Sequence, residues 1–315
     1  MIIAICSTRN WYFYLATELY ALFKHNEVKK VYLFIEDDNI PYLKDKRIEF
    51  ININKTEKYI KDYSPNYKTK YSQMSYIRCY FSKILKEKKV LYIDADAIVV
   101  DNIEKLWDLD LKDKALAGVK ESGEWSKHLG IRGMDDKYIN SGVLLMNLDY
   151  IRKENKDDEM IALLNNQYFA FPDQDVINIV CKDKIEYLSN IYNSAVTTGV
   201  VDNAKIIHYI REHKGWIKGS PRSDIWYRYF YEMLERSDKM VKIECTVTYN
   251  DVQLERQIPI GEQITVTNER ADFLVNTKGY AKVIEVIPEE VKPEEVKLEE
   301  VKLAPKKPEP KKRRK

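Results

Sequence analysis

The chain has 315 residues, of which 44% are hydrophobic and 32% are charged, and its formal net charge is +2. This length suits one substantial domain with an appendage, or two domains. No stretch approaches the ~18 uninterrupted apolar residues of a membrane-spanning helix, and nothing resembles the broad basic face of a nucleic-acid-binding protein. Four widely spaced cysteines without a CxxC pair argue against a disulfide framework and favour a reducing compartment, so we expect a cytoplasmic protein.

Strand-like and helix-like stretches alternate over residues 1–216. The first apolar run has no basic residues before it, which favours a buried strand over a secretion signal. Nearly continuous apolar strands between helices predict an α/β domain with a mostly parallel sheet. The predicted strands are 2–6, 31–35, 48–53, 89–93 and 143–148, and the predicted helices are 12–24, 73–86 and 174–181.

The C-terminal third changes character. Apolar residues at helical spacing predict a closing helix over 222–237, so we assign 1–238 to the α/β domain. Short β-like runs then predict a small β-rich accessory module over 239–286, with a small helix near 270–276. A module of this size is marginally stable alone.

Residues 287–315 contain a repeat with a period of five and a basic end. Ten Lys and Arg outnumber seven Asp and Glu over 288–315. The repeat matches neither a heptad nor a strand and cannot bury much apolar area, which predicts a disordered tail. The basic end could touch nucleic acid or an anionic surface, although a solvated tail is the interpretation we favour.

Two carboxylates follow a buried strand within the segment Leu-Tyr-Ile-Asp-Ala-Asp-Ala-Ile-Val-Val, where Asp94 and Asp96 are one residue apart. If the strand remains extended, both side chains point the same way. Two like charges in one small space are unfavourable unless a cation neutralises them, and a hard divalent ion prefers oxygen ligands. The pattern alone also fits a surface turn, so the neighbouring sequence must distinguish a functional site from a turn.

Several further segments support a resemblance to glycosyltransferase family 8. The segment 89–102 is similar to the family's Asp-x-Asp region, and 4–15 is similar to its first strand and nucleotide-binding loop. The family's retaining enzymes include lipopolysaccharide galactosyl- and glucosyltransferases and glycogenin. In family order there follow Tyr-Ile-Arg at 76–78, Asn-Ser-Gly-Val at 140–143, Asp-Gln-Asp at 173–175, and Ile-His-Tyr at 207–209 with Lys214 and Trp216.

The resemblance implies a GT-A fold, a Rossmann-like nucleotide-diphospho-sugar transferase sheet flanked by helices. It also implies a metal site of Asp94, Asp96 and His208 for Mn²⁺ or Mg²⁺, and the imidazole favours Mn²⁺. A UDP-sugar would bind with its diphosphate on the metal. The implied donor-binding residues are Ser7, Asn10, Trp11, Arg78, Asp94, Ala95, Asn140 and Lys214.

The implied catalytic residues are Gln174, Asp173 and Arg78. Asn140 and Asp173 would hold sugar hydroxyls, and Gln174 would lie under the anomeric carbon. A neutral amide is a poor nucleophile, which favours a front-face path in which the leaving phosphate accepts the acceptor's proton. The expected activity is transfer of a hexose from UDP-glucose or UDP-galactose to a saccharide or protein acceptor, forming an α-linkage.

Other interpretations remain open. A self-glucosylating enzyme similar to glycogenin could use one of the 23 tyrosines as acceptor. A non-catalytic nucleotide-sugar-binding or structural protein would share the fold. His208 could be a half-buried strand histidine, and Asp173 could be a helix N-cap. A nucleic-acid partner is not expected, and a homo-oligomer is compatible with the sequence.

The chain departs from the family pattern near His208. Arg211 stands where the family usually has a glycine that lets a backbone N–H approach the phosphate, and Gly215 replaces the usual proline. The acceptor loops are predicted at 120–137 and 194–202. Residues 260–262 and 266–271 resemble small accessory proteins of bacteriophages.

Overall fold

The computed structural model describes residues 1–67, 73–121, 137–235, 240–252, 254, 256–267, 270–271 and 273–287. Most of the predicted acceptor loop 120–137 and of the predicted tail 287–315 lies outside these ranges. None of the helices in the described ranges combines the length and the apolar character that crossing a bilayer requires.

A seven-stranded sheet forms the centre of the N-terminal region. Its strands are β1 Ile2–Cys6, β2 Lys30–Ile35, β3 Ile48–Asn52, β4 Lys89–Ile93, β6 Leu116–Lys120, β7 Ile139–Asn147 and β8 Ile185–Leu188. They lie in the order β3-β2-β1-β4-β7-β6-β8, and each pairing is parallel except the two that β7 makes with β4 and β6. The predicted mostly parallel α/β sheet is confirmed.

Apolar side chains of the sheet contribute to two separate hydrophobic cores, one on each face. Alternation along β1 sends Ala4 and Cys6 into one cluster and Ile3 and Ile5 into the other. Helices cover both faces and bury their own apolar residues there. The helices are α1 Tyr12–His25, α2 Phe81–Ile84, α3 Glu104–Trp107, α4 Leu148–Lys153, α5 Lys156–Asn166, α6 Pro172–Val180 and α7 Ser223–Glu235.

The predicted helix over 73–86 forms with a different winding. It is a 3₁₀ helix over Gln73–Tyr80, followed by the single turn of α2. The Arg78 side chain donates from Nε to the carbonyl oxygen of Ser75 at 3.0 Å, within this segment. The tighter winding keeps Met74, Ile77 and Arg78 buried against the sheet.

A second, small sheet joins the segment that follows β4 to the segment that ends at residue 208. It consists of β5 Ala97–Val99, β9 Ser194–Ala195 and β10 Ile206–His208, with β10 in the middle. β10 runs antiparallel to β5, so that His208 lies opposite Ala97. This pairing brings together two segments that are more than a hundred residues apart in the sequence.

The C-terminal module is β-rich, as the sequence predicted. Three antiparallel strands, β11 Met240–Cys245, β14 Gln263–Thr267 and β15 Ala281–Ile287, lie in the order β14-β11-β15, beside the hairpin of β12 Tyr249–Asp251 and β13 Arg256–Ile258. The helix predicted near 270–276 is a π-helical turn, Phe273–Thr277. Phe273 packs against Phe13 of α1, with ring centroids 4.6 Å apart, and thereby joins the module to the N-terminal region.

A buried ion pair lies inside this module. Arg270 Nη2 donates to Asp251 Oδ2 at 2.7 Å, and the two side chains are only 4% and 0% exposed. Asp251 Oδ2 also accepts a hydrogen bond from Tyr249 Oη at 2.7 Å, and Tyr249 packs against a small apolar core that includes Ile243, Ile258 and Leu274. Removing one member of such a pair leaves a buried charge without its partner, which is strongly destabilising.

We predict that Asp251→Ala lowers the free energy of local unfolding of the module by about 3–5 kcal/mol, because the Arg270 guanidinium loses its counter-ion. Hydrogen exchange of the β11 and β14 amides, followed by mass spectrometry, measures this change. The matched control is Glu262→Ala, which breaks the more exposed pair with Arg256 and should cost at most about 1 kcal/mol. Equal exchange in the two variants would contradict this account of the module.

Candidate active site

The carboxyl end of β4 places the two aspartates. Asp94 directly follows β4, and its backbone N–H donates to the carbonyl oxygen of Gly142 on β7 at 2.8 Å. A tight turn follows, in which the N–H of Ala97 donates to the carbonyl oxygen of Asp94 at 3.0 Å. The N–H of Tyr209 then bonds to the carbonyl oxygen of Asp96 at 2.9 Å, so the backbone fixes residue 208 beside this turn.

The structure brings Asp94, Asp96 and His208 together. His208 Nε2 lies 3.3 Å from Asp96 Oδ1 and 3.6 Å from Asp94 Oδ2. One ligand atom from each residue falls within 4.8 Å of the others, and no second group of this kind occurs among the described residues. Two carboxylate oxygens and an imidazole nitrogen at this spacing fit a single divalent ion, and this donor set suits Mn²⁺.

Basic side chains accompany each aspartate. Arg78 Nη2 donates to Asp94 Oδ1 at 2.8 Å, and Lys214 Nζ donates to Asp96 Oδ2 at 2.5 Å. Burial alone would raise the pKa of Asp96, but His208 and Lys214 outweigh it and hold the pKa below its usual range. The Asp96 carboxylate is therefore ionised, the form that binds a cation.

The imidazole responds to the same charges. Burial alone would lower the pKa of His208, but the contacts with Asp96 and Asp94 outweigh burial and raise it. The carboxylates thus draw positive charge into the space between the three residues. A proton on His208 or a divalent ion can supply that charge.

Arg78 is held by the protein on several sides. Its Nη1 donates to the carbonyl oxygen of Ser141 at 2.8 Å, and its guanidinium lies 4.1 Å from the centre of the Tyr92 ring. Asp173 Oδ2 lies 3.5 Å from its Nε. The side chain is 5% exposed, so this guanidinium is a fixed positive charge in the wall of the site.

The N-terminus of α6 contributes Asp173 and Gln174. Ser141 Oγ donates to Asp173 Oδ2 at 2.9 Å, and the Ser141 N–H donates to Gln174 Oε1 at 2.9 Å. Burial raises the pKa of Asp173, and Arg78 only partly opposes this rise. Glu121 accepts hydrogen bonds from Gln174 Nε2 at 3.2 Å and from Asn140 Nδ2 at 3.1 Å.

A cavity of about 570 Å³ opens beside these groups. It lies at the carboxyl ends of β1 and β4, where nucleotide-binding sheets place their ligands because the strand order reverses there. Its walls contain nine of the residues nominated from the sequence: Ser7, Trp11, Arg78, Asp94, Ala95, Asp96, Asp173, Gln174 and Lys214. Arg211 and Ser141 also line it.

Three nominated residues do not line this cavity. His208 is buried, and it contacts the two aspartates from inside the protein. Asn140 is half-buried and bonds to Glu121. Asn10 lines a separate small cavity together with Tyr249 and Phe273 of the C-terminal module, so its role at a nucleotide base stays a prediction.

Aromatic rings and basic groups form one side of the cavity. Lys214 Nζ lies 5.0 Å from the centre of the Trp11 ring, and Trp216 packs behind Trp11 with the ring centroids 5.2 Å apart. Arg211, at the position of the family's usual glycine, has a φ of 60°. The backbone at residue 211 is therefore left-handed although the residue is not glycine, which costs about 1–2 kcal/mol of conformational energy.

Sequence reasoning missed three residues of the site. Ser141 lies within the Asn-Ser-Gly segment that was singled out, but it received no role. Glu121 and Asn193 carry no local signal, because their side chains contact residues that are distant in the sequence. Asn193 Oδ1 lies 2.9 Å from His208 Nδ1, on the side of the ring away from the aspartates.

Comparison with known proteins finds similarity to glycosyltransferases. Lipopolysaccharide glucosyltransferase WaaO of Escherichia coli K12 is 33% identical over 153 residues, covering 42% of this chain and 45% of that protein. Lipopolysaccharide 1,3-galactosyltransferase of Salmonella typhimurium is 30% identical over 157 residues, covering 44% and 46%. The chain thus spans less than half the length of these two relatives.

Solved structures show the same fold. A crystal structure of the galactosyltransferase LgtC with donor and acceptor sugar analogues has a TM-score of 0.56 and 22% identity, covering 74% of this chain and 95% of that one. The bifunctional glycosyltransferase WbbM has a TM-score of 0.58 and 17% identity, covering 75% and 51%. These similarities confirm the predicted GT-A fold.

The family match itself ends before the C-terminal module. The sequence model of glycosyl transferase family 8 matches residues 2–219. The resemblance of the module to bacteriophage accessory proteins stays a prediction. Because the match covers more than half of the chain, the protein belongs to glycosyl transferase family 8.

Proposed function

We propose that this glycosyltransferase transfers a hexose from UDP-glucose or UDP-galactose to an acceptor hydroxyl, with retention and with the help of Mn²⁺ or Mg²⁺. The observation that carries the proposal is the convergence of Asp94, Asp96 and His208 within 4.8 Å, two of them in the wall of a 570 Å³ cavity. The donor would be a nucleotide sugar, as the family implies, and the acceptor a saccharide or a protein.

The charges in the cavity suit a diphosphate. A divalent ion at Asp94, Asp96 and His208 would act as a Lewis acid on the leaving diphosphate. Lys214 would add a mobile positive charge to the phosphates, since its flexible ammonium can move from Asp96 to a stronger anion. Arg211 lines the same wall and adds a further cation.

The sugar end of the cavity is rigid. Gln174 is held at both ends of its amide, by the Ser141 N–H and by Glu121, so its position is set before a donor binds. Asp173 would accept hydrogen bonds from sugar hydroxyls. We propose that Gln174 lies beneath the anomeric carbon and that the leaving phosphate accepts the acceptor's proton, as the front-face path requires.

The cysteines support a reducing environment. Cys6, Cys79, Cys181 and Cys245 are all buried and unpaired. Free thiols of this kind are typical of proteins in reducing compartments, and we propose a cytoplasmic location on this basis.

We predict that Asp94→Asn and Asp96→Asn each lower metal-dependent hydrolysis of UDP-glucose and UDP-galactose by at least about 100-fold, because the developing diphosphate charge loses its stabilisation. Released UDP measures the rate, and circular dichroism verifies the fold. Asp101→Asn is the control, since its exposed carboxylate contacts Lys205 and the Asn102 N–H and does not line the cavity. Turnover near the wild-type rate in either site variant would remove the proposed metal assignment.

A substitution at Gly142 tests the metal site without replacing any of the three proposed ligand residues. A Cβ at Gly142 would lie 2.1 Å from His208 Cε1 and 2.9 Å from Asp94 Oδ2, so the imidazole must move. We predict that Gly142→Ala weakens Mn²⁺ binding by at least about tenfold, which is the range for a disturbed ligand orientation. Electron paramagnetic resonance of free Mn²⁺ measures this affinity.

The matched control is Gly118→Ala in the same sheet. A Cβ at Gly118 would lie 2.6 Å from the flexible end of Ile139, and its nearest neighbours include none of the proposed metal ligands. This variant should lose some stability and bind Mn²⁺ as the wild type does. Wild-type Mn²⁺ affinity in Gly142→Ala would show that His208 is not a ligand.

A further inference from the structure

Asn193 occupies the side of His208 that faces away from the two aspartates. Resting on the proposed metal site, we infer that Asn193 is a positioning residue that fixes the His208 tautomer and links the metal ligands to the sugar end of the cavity. The link runs from His208 through Asn193 and Asn140 to Glu121 and Gln174.

One backbone N–H group sets the direction of the hydrogen bonds that join Asn140, Asn193 and His208. The Gly142 N–H can only donate, and it lies 2.9 Å from Asn140, so the Asn140 atom facing it is the oxygen Oδ1. Asn193 also approaches this oxygen, at 2.8 Å, and must therefore present its NH₂ group. The other end of the Asn193 amide, Oδ1, then faces His208 Nδ1 at 2.9 Å.

The consequence for His208 is a defined tautomer. Asn193 Oδ1 can only accept, so Nδ1 carries the hydrogen of the neutral imidazole. Its lone pair is then on Nε2, the atom that faces Asp94 and Asp96. This is the arrangement that a histidine ligand of a metal needs, with its second nitrogen oriented by a hydrogen bond.

Glu121 fixes the same directions from the other end. A carboxylate accepts hydrogen bonds, so the group of Asn140 that faces Glu121 at 3.1 Å is the NH₂ group. This places Oδ1 of Asn140 toward Gly142 and Asn193, as the backbone N–H requires. Two independent anchors therefore assign the Asn140 amide in the same orientation, which removes the usual ambiguity of amide flips.

Burial makes the link hard to replace by water. Asn193 is 6% exposed and His208 is 4% exposed. The backbone also holds Asn193 in place, because the next residue, Ser194, pairs with Ile207 in the parallel ladder of β9 and β10. Asn193, directly before β9, and His208, the last residue of β10, are thus held at a fixed separation.

We expect Asn193→Ala to weaken Mn²⁺ binding by about 10- to 100-fold, the usual loss when the hydrogen-bond partner of a histidine ligand is removed. Asn193→Asp keeps an acceptor for Nδ1–H but cannot donate to Asn140. This variant should bind Mn²⁺ at least as tightly as the wild type and raise the KM for the donor sugar. Free Mn²⁺ is measured by electron paramagnetic resonance, and KM by released UDP.

Asn190→Ala is the matched control, because Asn190 lies in the same turn but is exposed. It should change neither quantity. If Asn193→Ala folds and binds Mn²⁺ like the wild type, or if Asn193→Asp loses Mn²⁺ binding, the inference is wrong while the proposed function survives. If the wild-type protein itself binds no Mn²⁺ with or without UDP, the proposed function fails first. Should Asn193→Ala not fold, Asn193→Asp alone decides.

Discussion

Two carboxylates held side by side at the end of one buried strand are the constraint on which the site depends. Asp94 and Asp96 repel each other, and most of the charged groups around them reduce that repulsion: Arg78 on one, Lys214 on the other, and His208 between them. Two carboxylates in so small a space favour a positive charge between them, which is why we propose a metal site here. Asp94 and Asp96 line a large cavity, so an ion bound to them could also contact a substrate in that cavity.

The scaffold maintains this arrangement through backbone pairing. β7 runs antiparallel beside β4 and places Asn140, Ser141 and Gly142 at the carboxyl end of β4. β10 pairs with β5 and sets His208 opposite Ala97. Because both pairings lie on regular strands, the ligand positions do not depend on long loops, and sites built in this way are more exact than sites on loops.

The parallel sheet and the Asp94/Asp96 pair could be predicted from local patterns, since strand periodicity and an acidic pair after an apolar run are visible in the sequence. His208 was different, because only the family resemblance distinguished it from an ordinary strand histidine. Asn193 and Glu121 could not be found, since their contacts cross 15 to 53 residues and leave no periodic signal. The 3₁₀ winding of Gln73–Tyr80 was missed because helical spacing does not separate it from an α-helix.

We propose that one divalent ion binds to Asp94, Asp96 and His208 and contacts the diphosphate of the donor. Crystals grown with UDP and Mn²⁺ and measured at the manganese absorption edge test it directly. We expect one anomalous peak within bonding distance of both carboxylates, of His208 Nε2 and of the UDP phosphates. UDP bound in the cavity with no manganese peak among these three side chains would contradict it.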